Sequence, residues 1–408
     1  MNFIFYSHLP WEVNYCRELF YALGKCIEKT ENIICIDRCC NILPDIILRP
    51  HKVFKWIRDH KAERVDENII LYQPLILIHD QIAKFIKFLT FINRLLIKKQ
   101  IGKYIKGKGK IISYIADPLL YDYLKIFKGE ISVYDCLAEW SSNPGMSSIN
   151  RVTVKKFENK TLLKSDIVLT VSKELCSRRS KVNKNTHYLP WAAEYMLFGK
   201  DSAEIPNEMI SMKKPIIGFA GHIWGIFDLD IIAKLSETFK NSSIVIVGSL
   251  RSLLPKGYKR EFLNVTKRTN IRWLGPRKHG DLPKYLKCFD VCIMPYKIDD
   301  WTITCSPGKL YQYLAVGKPI VSTDLPEVSR YYDDDIVKIA RSSEEFMEKV
   351  KLVLSETSDK NKIEKRKAIA KRNSWNNRAK AMIDIINECA QAHGGFDDHE
   401  QRKSPTKA

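Results

Sequence analysis

Short apolar segments alternate with longer amphipathic segments along most of this chain. The apolar segments are nearly free of charged residues, which is typical of strands that are buried on both faces of a parallel sheet. The amphipathic segments between them supply the helices that cover such a sheet. The pattern therefore predicts an α/β fold. The ten predicted strands lie within NFIFYS, NIICID, KIISYIA, ISVYDCL, DIVLTVS, PIIGFAG, SIVIVGS, NIRWLG, DVCIMPY and PIVSTD.

The alternation of strands and helices starts again near residue 213, which indicates a second domain. Residues 196–212 are polar and show no clear period, so we interpret them as a linker. We predict two Rossmann-like doubly wound domains, residues 1–198 and 213–375, which face a central cleft and bind a ligand at the carboxyl ends of their strands. The polar residues 393–408 are predicted to form a disordered tail.

One predicted helix, residues 82–106, is unusually apolar and is edged with lysines. Phe85, Leu89, Ile92 and Leu96 follow one stripe of this helix, and further apolar residues widen the stripe. Two interpretations remain open. The segment is either a core helix of the first domain or a basic amphipathic element that lies on an anionic membrane surface.

The composition narrows the class of partner. The 408 residues include 67 Lys and Arg against 47 Asp and Glu, and this net charge of +20 favours anionic partners, although solvated surface lysines explain it equally well. The charges are spread along the chain and no nucleic-acid-binding module is recognisable, so we expect no nucleic-acid partner.

The cysteines and the N-terminal segment indicate the cellular compartment in which the protein is expected. The 11 cysteines lack metal-ligand spacing, which predicts no metal site and a reduced, cytoplasmic protein. The N-terminal segment does not resemble a signal peptide, and no apolar run is long enough to span a membrane.

Residues 305–328, CSPGKLYQYLAVGKPIVSTDLPEV, are the most specific part of the sequence. Pro307 and Gly308 open a short predicted helix that carries Lys309 in its first turn, and Gly317 suits the left-handed residue that ends such a helix. The unpaired N–H groups of the helix N-terminus and the lysine ammonium group are thereby aimed at one point. This combination favours binding of a diphosphate.

Three further motifs precede this segment: IIGFAGHIWGIFDLDII, then SIVIVGS, then NIRWLG with DLPKYLKCFDVCIMPY. In this order the four motifs resemble the nucleotide-sugar domain of the group 1 glycosyltransferases, which have the GT-B fold. Within that group they resemble the bacterial exopolysaccharide and teichuronic-acid branch, which includes xanthan-type glucuronosyltransferases. The first half matches the family more loosely, through FYSHLPWEVNYCRELFYALGK, ISVYDCLAEW and SDIVLTVSKEL.

This resemblance implies a function. It implies transfer of a sugar from a nucleoside-diphosphate sugar, with a UDP-sugar favoured, to a saccharide acceptor in cell-surface polysaccharide synthesis. The basic apolar helix of residues 82–106 and the net positive charge favour a lipid-linked acceptor at the membrane face. It implies no cofactor and no metal, because a lysine, helix N-termini and backbone amides stabilise the departing diphosphate. It also implies that residues 376–392 form a helix that crosses back to the first domain.

The resemblance also assigns donor-binding residues. The family places a lysine at the position of Lys309 against the donor's diphosphate, and two glutamates flank this loop. Thr304 and Gln312 stand at the glutamate positions here, which puts donor affinity in doubt. The alternative function is therefore a catalytically silent GT-B protein that acts as a binding or assembly partner. The predicted donor-binding set is completed by Gly221, Leu274, Tyr296 and Ser306.

The first domain is expected to supply the acceptor site and, for an inverting reaction, a general base. The segment YDCLAEW matches an acidic segment of the family, in which Ala138 replaces the first carboxylate and Glu139 matches the second. We therefore predict Glu139 as the base, with Asp135 as a second, more structural candidate. The loop that holds His8 and Trp11 follows the first strand and is predicted to face the cleft and bind the acceptor.

Overall fold

Two largely parallel sheets, one in each half of the chain, form the framework of this computed structural model. The predicted α/β fold with two Rossmann-like domains is confirmed, and all ten predicted strands are present. The structure describes residues 1–401 except 8–10, 12–15, 30, 38, 52, 55–61, 84, 108, 145, 201–203, 252–253, 332, 334–335 and 357–358.

The strands of the first domain are β1 (Asn2–Tyr6), β2 (Ile33–Ile36), β3 (Cys40–Asn41), β4 (Glu63–Asp66), β5 (Ile69–Tyr72), β6 (Leu75–Ile76), β7 (Ile111–Ile115), β8 (Ile131–Cys136), β9 (Ile167–Thr170) and β10 (Thr186–Tyr188). Its helices are α1 (Arg17–Gly24), α2 (Ile42–Leu48), α3 (Asp80–Ala83), α4 (Lys87–Ile101), α5 (Ser148–Lys164) and α6 (Lys173–Arg179).

Helices α7 (Tyr195–Phe198) and α8 (Asn207–Ile210) lie in the region predicted as a linker. The strands of the second domain are β11 (Ile216–Ala220), β12 (Ser243–Val247), β13 (Ile271–Gly275), β14 (Val291–Met294), β15 (Ile320–Thr323) and β16 (Val337–Ala340). Its helices are α9 (Leu229–Thr238), α10 (Tyr258–Val265), α11 (Leu282–Cys288), α12 (Gly308–Val316), α13 (Pro326–Ser329), α14 (Ser343–Ser355) and α15 (Lys360–Arg372), and α16 (Trp375–Gln401) follows.

The first sheet has eight strands in the order β10-β9-β8-β7-β1-β2-β5-β4, and β4 alone pairs antiparallel, with β5. Side chains alternate between its two faces, as in any strand. In β1, Phe3 and Phe5 enter the hydrophobic core on one face, whereas Ile4 and Tyr6 enter the core on the other. Both faces are therefore covered, as the uncharged strands predict.

The second sheet has six parallel strands in the order β13-β12-β11-β14-β15-β16. Numbered within the domain, the order is 3-2-1-4-5-6. Successive strands are added toward one edge up to β13 and toward the other edge from β14, so the switch point lies between β11 and β14. The carboxyl ends of β11 and β14 flank this switch point, where doubly wound folds bind their ligands. Helix α12, which follows β14, begins in this region and ends at Gly317, whose φ of +79° is left-handed.

Helix α16 packs on the first domain, although it follows the second domain in the chain. Its buried residues Trp375, Ala379, Met382 and Ile386 belong to the core of the first domain. Buried Arg378 of this helix pairs with Asp135 at 2.8 Å. The helix continues past residue 393, where a disordered tail is predicted, to Gln401. This stretch contains no proline, so every residue can donate the backbone hydrogen bond that extends a helix.

Helix α4 docks on the first domain through polar side chains. The carboxamide of Asn93 accepts a hydrogen bond from Leu77 N and donates one to Ile78 O, both at 2.9 Å. The carboxamide of Gln100 binds the N–H and C=O of Leu75 in the same way, at 2.9 and 2.8 Å. The helix therefore satisfies backbone groups of the segment that follows β5 instead of burying its most apolar side.

An apolar face is left exposed as a result. We define it as Ile82, Phe85, Ile86, Phe88, Phe91 and Leu95, which are 48–69% exposed. Exposed lysines lie within and just after helix α4 in the sequence, at Lys87, Lys98, Lys99, Lys103 and Lys106. The core-helix interpretation explains Leu89, Ile92 and Leu96, which are half-buried, but it does not explain this face. In the described part of the chain, no helix combines the length and apolar character that crossing a bilayer requires.

Replacing Arg378 with Ala removes the buried partner of Asp135. We expect the free energy of unfolding to fall by about 3–5 kcal/mol, because an unpaired buried carboxylate is left behind. Urea denaturation followed by tryptophan fluorescence measures this loss. The matched control is Lys380→Ala, an exposed position on the same helix, which should change the free energy by less than about 0.5 kcal/mol. Equal losses in the two variants would contradict the role of this ion pair.

Candidate active site

Lys309 lies in the first turn of α12, with its ammonium group above two aromatic rings. Its Nζ is 5.4 Å from the centre of the Phe219 ring and 5.8 Å from that of the Tyr296 ring. Burial, together with the positive charge of Arg251, lowers the pKa of Lys309 to about 8. Among the described residues, none forms an ion pair with this lysine. An ammonium group in this setting, at a helix N-terminus, is suited to an anionic ligand.

Two glycines permit the close packing of the backbone beside this lysine. Gly221 follows β11 with a φ of +149°, and a Cβ at this position would lie 1.7 Å from Lys309 Cε. Gly248 follows β12 with a φ of +147°, and its Cβ would lie 1.9 Å from the carbonyl oxygen of Gly221. The ends of β11 and β12 and the start of α12 therefore approach one another more closely than any side chain allows.

Gln312 lies one turn after Lys309 on α12, so the two side chains are neighbours on the helix surface. Its side chain is half-buried and makes no hydrogen bond to any described residue. The carboxamide therefore remains able to bind a hydroxyl group. This environment is compatible with the predicted ribose contact.

Thr304 and Ser306 have internal partners. Thr304 is fully buried, and its hydroxyl donates to the carbonyl oxygen of Trp301 at 2.8 Å. The hydroxyl of Ser306 accepts a hydrogen bond from Trp191 N at 3.4 Å. In this structure the hydroxyl of Thr304 closes the turn before α12 and is not exposed at the surface of the site.

Tyr296 and Leu274 lie near the site with partners inside the protein. Tyr296 is 3% exposed, so its ring forms the floor beneath Lys309 rather than a wall of an open pocket. The carbonyl oxygen of Leu274 accepts a hydrogen bond from Arg277 Nη1 at 2.5 Å. That carbonyl group therefore already accepts one hydrogen bond within the protein, and its contact with a nucleobase stays a prediction.

Two basic residues near Lys309, Arg251 and His222, were not predicted as donor ligands from the sequence. The guanidinium group of Arg251 lies 5.4 Å from the centre of the Trp224 ring. His222 Nδ1 lies 2.7 Å from Ser249 Oγ. Burial and the charges of Arg251 and Lys309 lower the pKa of His222 to about 4, so its imidazole is neutral near pH 7. Arg251 lies outside the four sequence motifs. It comes near Lys309 only in the folded chain, so the sequence did not identify it as a donor ligand.

Glu139 is engaged in ion pairs. One of its oxygens accepts from Arg179 and Ser141 Oγ, both at 2.9 Å, and the other accepts from Arg178 at 3.4 Å. Arg179 also pairs with buried Glu158 at 3.0 Å. Burial alone would raise the pKa of Glu139, but its hydrogen bond with Arg179 and the charge of that residue hold the pKa below its ordinary value. Such a carboxylate is a weak proton acceptor, so the structure argues against Glu139 as the base.

The other first-domain predictions also need revision. Asp135 is 1% exposed and is enclosed by Arg378 and the hydroxyl of Tyr114, so it cannot reach a substrate and its role is structural. Trp11 is 8% exposed and stacks on Phe20, with ring centres 6.3 Å apart, so it belongs to the core and not to an acceptor site. His8 lies outside the described residues.

The two domains contact each other through a buried carboxylate. Glu327 of α13 is 2% exposed. Its Oε1 accepts from Lys173 N at 2.7 Å, and its Oε2 accepts from the hydroxyl of Tyr188 at 2.8 Å and from Arg330 at 3.0 Å. Lys173 and Tyr188 belong to the first domain, so this carboxylate joins the two halves. Burial raises the pKa of Glu327 above its ordinary value.

Three tryptophans form a second contact between the domains. Trp140 follows β8 in the first domain, and its ring centre is 6.3 Å from that of Trp301. Trp301 precedes α12 and also packs edge-on against Trp224, at 5.6 Å. The loops around Lys309 therefore touch the first domain, and the site lies between the two halves of the chain. No cluster of three or more His, Cys, Asp or Glu residues suited to a metal ion occurs among the residues that the structure describes.

One segment of the chain matches a family of known proteins. Residues 214–356 match the family model described as glycosyl transferases group 1. The chain is 24% identical over 258 residues to TuaH of Bacillus subtilis, which is named as a glycosyltransferase of teichuronic acid biosynthesis. That match covers 60% of this chain and 64% of TuaH, so the likeness spans less than two thirds of that protein.

Solved structures resemble the whole chain. Sucrose-phosphate synthase from Thermosynechococcus elongatus has a TM-score of 0.69 at 13% identity, over 96% of this chain and 100% of that one. HepE from Anabaena, in complex with UDP, has a TM-score of 0.65 at 11% identity, over 95% of this chain and 100% of that one. At these identities the likeness establishes the fold alone.

The fold and the site thus define the class of this protein, a GT-B fold of two Rossmann-like domains. Within it, residues 214–356 match the model of the group 1 glycosyltransferases. The resemblance inferred from the four sequence motifs, including the likeness to the teichuronic-acid branch, is thereby confirmed.

Replacing Glu327 with Ala should loosen the contact between the domains. The N–H of Lys173 and the hydroxyl of Tyr188 would lose a charged acceptor, so we expect hydrogen exchange of peptides covering these residues to accelerate by about tenfold or more. Glu327→Gln keeps an acceptor oxygen and should have a smaller effect. The matched control is Glu348→Ala, an exposed carboxylate on α14. Unchanged exchange in the Ala variant would show that Glu327 does not hold the domains together.

Proposed function

We propose that this chain transfers a sugar from a nucleoside-diphosphate sugar, with a UDP-sugar favoured, to a saccharide acceptor in cell-surface polysaccharide synthesis. The observation that carries the proposal is the environment of Lys309. Its ammonium group lies at the N-terminus of α12, beside the switch point of a doubly wound sheet, and lacks a described carboxylate partner. The domain match, the likeness to TuaH and the UDP held by HepE support the same donor class.

The site is suited to stabilising the nucleoside diphosphate that leaves during the reaction. Transfer forms a bond between the anomeric carbon of the sugar and an acceptor hydroxyl oxygen, which gives up its proton, and breaks the bond from that carbon to the diphosphate. The departing nucleoside diphosphate carries the negative charge that develops. Lys309 and the N–H groups at the start of α12 would stabilise that charge without reorganising, as electrostatic preorganisation requires. We propose that the reaction needs neither metal nor cofactor for this reason.

A second candidate function rests on the absence of an identified base. Glu139 and Asp135 are both held in ion pairs, and Thr304 and Gln312 occupy the positions of the family's glutamates. A catalytically silent GT-B protein, which binds a nucleotide sugar as an assembly partner, would have this pattern. Release of UDP from a panel of UDP-sugars separates the two candidates, because the silent protein binds the donor without releasing UDP.

We propose in addition that the acceptor is lipid-linked and that the protein lies on the cytoplasmic face of an anionic membrane. The apolar face of α3 and α4 supports this proposal, since it exposes three phenylalanines next to a row of lysines. Buried phenylalanine side chains and lysines near lipid phosphates are the two contributions that hold such helices at a bilayer surface.

Replacing Lys309 with Ala should weaken UDP binding by about 10- to 100-fold, since a charge-assisted hydrogen bond is lost. Lys309→Arg provides a matched variant with a permanent charge. The pKa of Lys309 is about 8 without ligand, and a bound diphosphate raises it. The charged form is thus present below that value and lost above it, so wild-type affinity should fall about tenfold from pH 7 to pH 9. The Arg variant should bind equally well at both.

Calorimetric titration with UDP measures these affinities. Wild-type binding that is lost in Lys309→Ala, with a pH dependence absent from Lys309→Arg, would support the diphosphate site. Unchanged affinity in Lys309→Ala would mean that the phosphates bind elsewhere. No binding of UDP by the folded wild type at millimolar concentration would overturn the proposed donor.

Vesicle flotation tests the membrane proposal. The wild type should float with phosphatidylglycerol vesicles, and Phe88→Ser with Phe91→Ser should reduce the bound fraction by about tenfold or more, because each buried ring contributes strongly to binding. Lys98→Glu with Lys99→Glu should have a similar effect through charge. The matched control, Leu352→Ser, removes an exposed leucine from α14 of the second domain and should float like the wild type. A wild type that stays unbound would refute the membrane contact.

A further inference from the structure

Arg251 is fixed at the edge of the site by contacts on both sides. It follows β12, where Leu250 forms a parallel bridge with Ile223 of the loop after β11. The N–H of Arg251 donates to the carbonyl oxygen of Ile223 at 3.0 Å. Its guanidinium group lies over the Trp224 ring at 5.4 Å, a distance at which a cation is attracted by an aromatic face. The side chain of Arg251 is exposed, but its backbone is held against the neighbouring loop.

The charge around Arg251 lacks compensation. Arg251 lies close enough to Lys309 and His222 to lower the pKa of both, so three basic side chains share one region. In the described part of the chain, none of the three has a carboxylate partner. Elsewhere in the same domain, Arg268, Arg277 and Arg341 pair with Glu237, Glu208 and Asp324.

Like charges that are brought together without a counter-ion raise the free energy of the protein unless an anion binds there. Three other arginines of the domain thus have carboxylate partners, whereas Arg251 has none among the described residues. The arrangement is therefore suited to a ligand that carries more than one negative charge. A diphosphate has two phosphate groups, and Lys309 with the start of α12 can neutralise one of them directly.

We propose that Arg251 supplies the second positive charge of the donor site and binds one phosphate of the diphosphate while Lys309 and α12 bind the other. This inference rests on the proposed function. The guanidinium group presents several N–H donors in one plane, which suits bidentate binding of a phosphate. Trp224 then acts as a support that positions the guanidinium group. The site consequently selects nucleoside diphosphates over monophosphates.

Calorimetric titrations of the full chain with UDP, UMP and uridine test this assignment. Arg251→Ala should weaken UDP binding by about 10- to 100-fold and leave uridine binding unchanged, because the lost interaction involves phosphate alone. The preference for UDP over UMP should shrink by a similar factor. Arg251→Lys should recover part of the loss, since it keeps the charge without the planar fork. The matched control is Arg260→Ala, an exposed arginine on α10 of the same domain.

The outcomes separate this inference from the proposed function. If wild type binds UDP and Lys309→Ala weakens binding while Arg251→Ala matches the Arg260→Ala control, the role of Arg251 is refuted and the donor site stands. If Arg251→Ala weakens UDP and uridine equally, the residue shapes the loop and does not bind phosphate, which also refutes the inference. If the folded wild type binds none of the three compounds at millimolar concentration, both proposals fail.

Discussion

A lysine ammonium group held over aromatic rings without a carboxylate partner is the constraint on which this site depends. Lys309 can occupy its position because Gly221 lacks a Cβ and because Phe219 and Tyr296 offer ring faces to the cation. The fold supplies each part: β11 and β14 flank the switch point, and α12 brings its N-terminus to the same place. The cost of leaving this charge unpaired is offset when an anion binds, which is why the proposed donor site follows from the geometry.

Two carboxylates of the first domain form structural ion pairs. Asp135 binds Arg378 of the returning helix α16, and Glu139 binds two arginines of α6. Glu327, which comes from the second domain, binds first-domain groups in turn. The Glu327 contacts join the two halves, and among the described residues no carboxylate pairs with Lys309. A site built in this way favours the departing diphosphate rather than a carboxylate base.

Local patterns in the sequence were sufficient for the fold and for the centre of the site. Uncharged strands indicated two doubly wound sheets, and the segment around Lys309 indicated a helix N-terminus with a cation. Roles that depend on distant partners could not be read in this way. Glu139 matches a family position, but Arg178 and Arg179, which occupy its oxygens, lie on another element. Arg251 approaches Lys309 only because β12 adjoins β11, and neither residue's neighbourhood in sequence reveals that contact.

The most direct test of the account is the position of the diphosphate in a crystal of the full chain with bound UDP. The account predicts phosphate oxygens within about 3 Å of Lys309 Nζ and of the backbone N–H groups that begin α12. A well-ordered UDP whose phosphates lie away from α12, with Lys309 still above the rings of Phe219 and Tyr296, would contradict it.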